Sequence, residues 1–451
     1  MRARGSRSTT ERGRAGRWAA ALVLAVALPA RAAPDPEPAA DAPAASAAEG
    51  FTFQGRLEWL TAAGASAPRD TGINPDNAVL GIPQLGAGSE LRPDLRVQHG
   101  DALRLVVRPR LRLDVAKARA AGAWRAERSD ASAEWLELHG SWRVDERLEI
   151  AYGLQNFQWG PGELLSPSNR IFHETGFARD PLYVVRGRHL ARVNLSAGSA
   201  WSAVVLAEVA ANDEPPFVAG EPFEPKAEAK LEWTPRGGGP YLGVVAGAGR
   251  RSRGFFGEYA SLPVTDGLSL YADVVHTAGS RAWYPVEDGA GGAAFAQRST
   301  GAGLRTLALG GARYTFASGP DLRIELVFDE AGWTEAELAL AARAASGSAG
   351  TPPSPAALAA WLEPGFELPG RRHAYVSLRL PELPPGDRLT VAARYLAALE
   401  DGSGAAFVTA SLDASDSVVV FASAIATHGP DHGALSRLVR GTATAGAVVS
   451  W

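Results

Sequence analysis

The chain has 451 residues, 45 Lys and Arg against 49 Asp and Glu, and no cysteine. A disulfide framework, a thiolate metal site and a cysteine nucleophile are therefore excluded. The slightly acidic balance argues against a nucleic-acid partner, which would call for a basic face.

Residues 1–32 combine a basic start (Arg2, Arg4, Arg7, Arg12, Arg14, Arg17), an apolar run from Trp18 to Leu28 and the small-residue site Ala30-Arg31-Ala32. That order predicts a signal peptide cut before Ala33, because the apolar run falls short of the ~20 residues a spanning helix needs. Without residues 1–32, which hold seven arginines and Glu11, 38 basic and 48 acidic residues remain, a net charge of −10. Residues 33–50, rich in Pro, Ala and Asp without periodicity, are expected to be a disordered periplasmic leader.

From residue 51 to Trp451 one pattern of period two continues, with no dividing linker. In "ALRLVVRPRLRLDVA", Leu103, Leu105, Val107, Leu111, Leu113 and Val115 share one face, while Arg104, Arg108, Arg110, Arg112 and Asp114 share the other. Such alternation predicts a strand with one apolar and one polar face. "KAEAKLEWT", "LRIELVFD" and "RLTVAARYL" repeat it.

Strands are expected to begin near 51, 102, 146, 201, 240, 268, 322, 387 and 417 in one direction. Their antiparallel mates begin near 90, 132, 190, 225, 254, 303, 371, 404 and 442. Tight turns join them at one end. At the other, connections at about 61–89, 118–131, 158–188, 212–224, 278–302, 331–370 and 427–441 are long, with 250–253 and 398–403 short. The fold class is thus all-β: a transmembrane antiparallel barrel of about eighteen strands (sixteen being the other even count), with short periplasmic turns and long extracellular loops. The expected location is the bacterial outer membrane, with membrane lipid, lipopolysaccharide and the barrel assembly machinery as partners.

If the apolar face meets lipid, the polar face lines the lumen, since an arginine turned to lipid at mid-depth costs ~2–4 kcal/mol. Arg104, Arg108, Arg110, Arg112, Glu137, Arg143, Glu149, Glu228 and Lys230 are then the candidate pore-lining residues, the arginines forming a locally positive wall. Two readings of these charges stay open: a hydrated passage that selects by charge, or a ladder of mutual pairs that keeps the barrel rigid and nearly closed. No H-E-x-x-H, G-x-S-x-G or P-loop pattern occurs, and His139, His173 and His189 lie on different elements, so no catalytic or metal site, and no cofactor, is expected.

The segment "FQWGPGELLSPSNRIF" breaks the pattern. Trp159-Gly160-Pro161-Gly162 ends a strand, and Pro167 and Asn169 punctuate a second turn. A loop of this length could fold into the pore or present a binding face, with Trp159, Asn169 and Arg170 as ligand candidates. "QWGPGELLSPSN" resembles the WGPG-type segment, followed by a Ser-Asn turn, of the capsule-assembly outer-membrane proteins. The resemblance implies an eighteen-stranded barrel, a strand number that alginate-export porins share, and binding of surface polysaccharide. Passage of small polar or charged solutes is the first reading, and polysaccharide binding or export the second. Further on, Thr334-x-x-Glu337 before "LALAARAA" reads as a capping box opening a helix. The terminal Trp451, on the apolar face of "TATAGAVVSW", is expected at the periplasmic interface as an anchor and assembly signal.

Overall fold

Alternating side chains commit the chain to one sheet closed on itself. A computed structural model describes residues 50–211, 218–220, 222–235, 239–249, 254–289, 292–297, 303–346, 353–384 and 386–451. The signal peptide and all of the leader but Gly50 lie outside the described residues, as do the 250–253 connection and most of the turn at 236–239.

The barrel strands are β1 (Phe51–Pro68), β2 (Leu85–His99), β3 (Leu103–Lys117), β4 (Arg128–Arg143), β5 (Leu148–Gln155) and β6 (Arg188–Ala197). Next come β7 (Trp201–Ala210), β8 (Lys226–Trp233), β9 (Tyr241–Gly249), β10 (Phe255–Pro263), β11 (Leu268–Ala278) and β12 (Leu304–Thr315). The last are β13 (Asp321–Asp329), β14 (Arg372–Leu383), β15 (Leu389–Ala398), β16 (Gly404–Ser415), β17 (Val418–His428) and β18 (Val439–Ser450). They form one 18-stranded antiparallel sheet, and β1 pairs with β18 from Glu58↔Ser450 to Pro68↔Val439. Closure removes every sheet edge, so the backbone of a spanning segment is satisfied without water.

Each strand begins within five residues of its expected start. The largest displacement is β2, at Leu85 rather than 90. The expected connection 61–89 shrinks to 69–84, because Ala63, Ala65 and Ala67 carry the outward face of β1 onward without a bulky side chain to mark it. The short-turn end carries the connections 100–102, 144–147, 198–200, 264–267 and 416–417.

The outward face holds Leu103, Leu105, Leu111, Leu113, Trp135, Trp142, Trp201, Val205, Phe256, Ile324, Leu326 and Val408, all exposed. An exposed apolar belt of this kind belongs against lipid. Inside, rings lie over glycines of the neighbouring strand. Gly243 faces Tyr259 and Gly311 faces Tyr271 in register. A Cβ on Gly311 would come 2.6 Å from the Tyr271 ring, and one on Gly243 would overlap Tyr259.

At the long-loop end, the connections 69–84, 279–303, 330–371 and 429–438 share an apolar core of Ile73, Tyr284, Trp333, Leu338, Trp361, Phe366 and Ala434. Two helices stiffen it, α1 (Glu335–Ser346) and α2 (Pro355–Leu362). The capping box is present: Thr334 N–H donates to Glu337 Oε2 at 2.9 Å, and Glu337 N–H to Thr334 Oγ1 at 3.3 Å. The sequence reading missed α2, which Ser354 caps by accepting the Ala357 N–H at 3.1 Å, with Pro355 at its first position.

Candidate functional site: the barrel interior

Two features occupy the interior: a wall of charged side chains on β2–β4 and a loop folded inward between β5 and β6. In the β2–β3 ladder, Leu91 pairs with Leu111 and Leu95 with Val107. Between those pairs stand Pro93 and Pro109, which have no N–H to donate, and the β3–β4 register shifts at Pro109. The inward neighbours of the two prolines are the charged residues. Arg108 reaches Asp94 at 2.9 Å and Glu137. Arg110 donates to Glu134 at 2.9 Å and grips Glu90 with Nε at 3.0 Å and with Nη2. Arg112 meets Asp114 and lies 3.7 Å from Glu90. Arg92 adds a second guanidinium to Glu90 at 2.9 Å, and Arg186 adds one to Glu134 at 2.9 Å. The locally positive wall expected from the arginines is therefore matched by carboxylates along this stretch. Most pairs share one asymmetry: the guanidinium is the more exposed partner, as with Arg112 at 41% against Glu90 at 8%. The Arg110 pairs are the deeply sealed ones.

The other sequence candidates are spread around the circumference. Arg104 and Arg143 are exposed near the short turns. Glu149 accepts from Asn194 at 3.0 Å and lies 3.5 Å from Arg192. Lys230 donates to Glu232 at 3.2 Å. Glu228 is only 2% exposed, and neither carboxylate oxygen has a hydrogen-bond partner among the described residues.

The connection 156–187 folds into the barrel and is held from several sides. Glu163 accepts from Tyr375 at 3.1 Å and Ser377 at 3.2 Å, both on β14, and from Arg394 of β15 at 3.3 Å. Arg323 of β13 stands 3.2 Å from its second oxygen. In exchange, Glu325 of β13 accepts the Glu163 and Leu164 N–H groups at 2.7 and 2.9 Å. Asp273 of β11 accepts Ser168 N–H at 2.9 Å and the Ser166 hydroxyl at 2.8 Å. Further along, the Arg179 carbonyl accepts from Arg394 at 3.0 Å, Asp180 from Ser423 of β17 at 3.2 Å, and the Leu182 carbonyl from Arg92 of β2 at 3.0 Å. Apolar contacts fill the gaps. Leu164 and Leu165 pack among Tyr271, Leu309, Tyr375 and Leu396, while Trp159, Ile171 and Phe172 pack among Leu190, Leu206, Val245 and Tyr259.

Within this loop the ligand candidates have local partners. Trp159 is 8% exposed and donates Nε1–H to Ser168 Oγ at 3.2 Å. Asn169 is 2% exposed and its Oδ1 accepts the Ile171 and Phe172 N–H groups at 3.3 and 3.2 Å. Gly160 has φ +98°, and a Cβ there would strike Ser166 and Asp273, so the second residue of WGPG must lack a side chain. Arg170 pairs with Glu367 of the 330–371 connection, which also lies 3.3 Å from His173 Nδ1. Burial holds the His173 imidazole down at about 3 against the pull of Glu367. Burial also opposes the Glu367 charge, but Arg170 and then His173 outweigh it and keep its carboxyl at about 2. The sequence singled out the loop and Arg170. It gave no signal for Glu163, Glu325 or Asp273, whose partners lie 100 residues or more away in the chain.

No protein-family model matches the sequence, and no curated protein is similar to it. Solved structures are similar in fold. OccAB1 of Acinetobacter baumannii superposes with a TM-score of 0.53 at 8% identity, over 88% of this chain and 96% of that one. The outer membrane protein OprD from Pseudomonas aeruginosa gives 0.50 at 9% identity, over 88% and 94%. Wzi, a carbohydrate-binding β-barrel involved in group 1 capsule assembly in Escherichia coli, gives 0.45 at 11% identity, over 87% and 84%. At such identities the likeness to OccAB1 and OprD concerns architecture alone, and that architecture is the outer-membrane β-barrel.

Proposed function

We propose that the mature chain is an outer-membrane channel through which small polar or charged solutes pass, the infolded loop setting the width and the β2–β4 wall the charge of the passage. The observation that supports this reading is the asymmetry of that wall, where Arg108 and Arg112 are more exposed than the carboxylates they pair with. A solute passing such a wall meets charged hydrogen-bond donors at close quarters, which select it by charge and size. In this reading residues 1–32 are the removed signal peptide, 33–50 a periplasmic leader and 51–451 the membrane-embedded body. The work is passage rather than catalysis. Trp451, lipopolysaccharide and the barrel assembly machinery keep the roles expected from the sequence.

The polysaccharide reading has less support here, because Trp159 and Asn169 are buried inside the barrel rather than presented at a surface. Purified protein in a planar bilayer decides between them. Steps of constant conductance support the channel. Silence across the bilayer, together with retention on immobilised capsular or exopolysaccharide, replaces it with the second reading.

A further inference from the structure

On β13 and β14 the outward apolar run ends at a cation. Leu322, Ile324, Leu326 and Phe328 of β13 pair in register with Leu378, Val376, Ala374 and Arg372 of β14. Directly opposed residues share a face, and Ile324, Leu326, Phe328 and Val376 are exposed, so Arg372 also points outward. It is the first residue of β14, at the long-loop end, and its side chain is 63% exposed. Leu380, the last outward residue of the regular β14–β15 ladder, lies ~20 Å nearer the short turns, at ~3.3 Å per residue and ~40° of tilt. The apolar band of an outer-membrane barrel is ~25 Å tall, so Arg372 stands at its outer border, where headgroups begin.

A pocket of ≈ 320 Å³ opens beside it, lined by Phe328, Thr334, Glu335, Arg371, Arg372 and Glu400. It lies between the rim of the wall and the first turn of α1. Both guanidiniums are held by Nε alone: Arg371 Nε–H donates to the Gly332 carbonyl at 3.0 Å, and Arg372 Nε–H to Glu400 at 2.7 Å. Their terminal nitrogens have no hydrogen-bond partner among the described residues. Glu400 also accepts the Arg372 backbone N–H at 2.9 Å and is only 6% exposed, so its charge is spent behind Arg372. The open surface therefore presents two guanidinium forks and one exposed carboxylate, Glu335, next to the ring of Phe328.

A ligand that fits must offer acceptors a guanidinium fork can take in parallel, and must carry negative charge to gain from both forks. A phosphate meets both requirements. It must also be joined to an apolar body, because the surface below the pocket is Phe328, Leu326 and Ile324. A phosphorylated lipid has that form, and the long-loop end faces the leaflet that holds lipopolysaccharide. Solutes inside the barrel meet the other face of the same strand, carried by Glu325, Val327 and Asp329.

We infer that Arg371 and Arg372, set by Gly332 and Glu400, form an outward-facing site for a phosphate group of lipopolysaccharide, whose acyl chains lie along Phe328, Leu326 and Ile324. Glu335 opposes the charge of the ligand, so its removal should tighten binding where removal of either arginine weakens it. The inference rests on the membrane placement, with the long loops outside, and is independent of which solute the barrel passes.

Native mass spectrometry of the folded barrel in non-ionic detergent tests it, with deep-rough lipopolysaccharide, the same lipid dephosphorylated, and dioleoyl phosphatidylglycerol offered at equal concentration. The phosphorylated form should be retained about tenfold over the dephosphorylated one, the worth of a charge-assisted hydrogen bond. Arg371→Gln and Arg372→Gln should each remove most of that preference. Arg372→Lys, which keeps the charge and loses the fork, should remove part of it, and Glu335→Gln should raise retention. Arg371 lies outside the strands, so Arg371→Gln leaves the sheet intact and answers the question if Arg372→Gln fails to fold. Equal retention of the two forms, or a preference that both glutamine variants leave in place, overturns the site. Phosphatidylglycerol held as strongly as lipopolysaccharide overturns the choice of lipid. A protein that stays soluble without detergent would instead overturn the membrane placement.

Discussion

Arg110 and Arg112 stand two residues apart on the same face of β3, yet they should respond differently to replacement. Arg110 is 6% exposed between Glu90 and Glu134. Arg110→Gln removes the guanidinium sealed between two carboxylates and leaves Glu90 to Arg92 and Glu134 to Arg186, a loss of about 1.5–3 kcal/mol for charge-assisted hydrogen bonds. The expected result is a barrel that loses its folded, fast-migrating gel band at a distinctly lower temperature than the parent. Arg112 is far more open, so Arg112→Gln should leave that temperature within a few degrees and shift ion selectivity toward cations in a salt gradient. An unchanged reversal potential in Arg112→Gln would show that the wall does not set selectivity. A different constraint acts at Gly311, where the Tyr271 ring occupies the space a methyl group would need. Gly311→Ala must push the ring off the wall and away from Glu325, to which its hydroxyl donates at 2.7 Å. A loss of about 1–3 kcal/mol is expected, as for overpacking in a core, and should appear in thermal unfolding.

The element that decides whether the barrel conducts is the infolded loop. Its pin is Glu163, which draws on three strands at once. Glu163→Ala should release this side of the loop and leave Arg323 and Arg394 facing the interior without that partner. Single-channel conductance should rise, or become noisy, relative to the parent. A trace identical to the parent would place the constriction elsewhere. The same loop carries a pH dependence through His173 and Glu367. Folded His173 titrates near 3 rather than its ordinary 6.5, so the released loop binds the extra proton between those values. Stability of the closed loop is therefore whole above about pH 6.5 and falls as pH drops toward 3. Glu367, held at about 2 against an ordinary 4.5, adds a loss in the same direction below 4.5. Hydrogen exchange at Ile171 and Phe172, corrected for its intrinsic pH dependence, should accelerate between pH 7 and 4. His173→Gln should flatten the part above 4.5. How legible these elements were follows from the range of the forces that make them. Strand positions were readable because alternation is local: Arg108, Arg110 and Arg112 against Leu111 and Leu113 need no partner to be recognised. The break at Trp159–Gly162 was readable for the same reason. The inward path of the loop was not, because it is fixed by Glu325 and Asp273 on distant strands, and the pairing of the arginines was not, because Glu90, Asp94 and Glu134 meet them only once the register is known.

At the scale of the whole molecule, the outward belt and the closed sheet make two expectations. Unboiled protein should migrate faster than boiled protein on a detergent gel and fractionate with the outer membrane. Recovery from the periplasm as a soluble protein would contradict the membrane placement. Trp451 joins the closing strand to the first: its N–H donates to the Leu57 carbonyl at 3.0 Å, its carbonyl accepts Leu57 N–H at 3.2 Å, and its indole is exposed on the outward face. Deleting Trp451 should lower the amount of folded barrel in the outer membrane, and Trp451→Phe should restore much of it, since the ring and the strand face are kept. Assembly of the deletion at the parent's level would separate this residue from targeting.

The pairing of Glu58 with Ser450 and of Pro68 with Val439 joins the first strand of the barrel to its last, so neither has that partner until both are in place. Without β18, β1 has no neighbour on one side, and its free N–H and C=O groups form a long adhesive border. Any nascent or truncated product that keeps β1 but lacks β18 is thus an open sheet able to recruit a copy of itself. A chain cut just before Val439 should consequently be more toxic to the cell than one cut within β1, although it discards fewer residues.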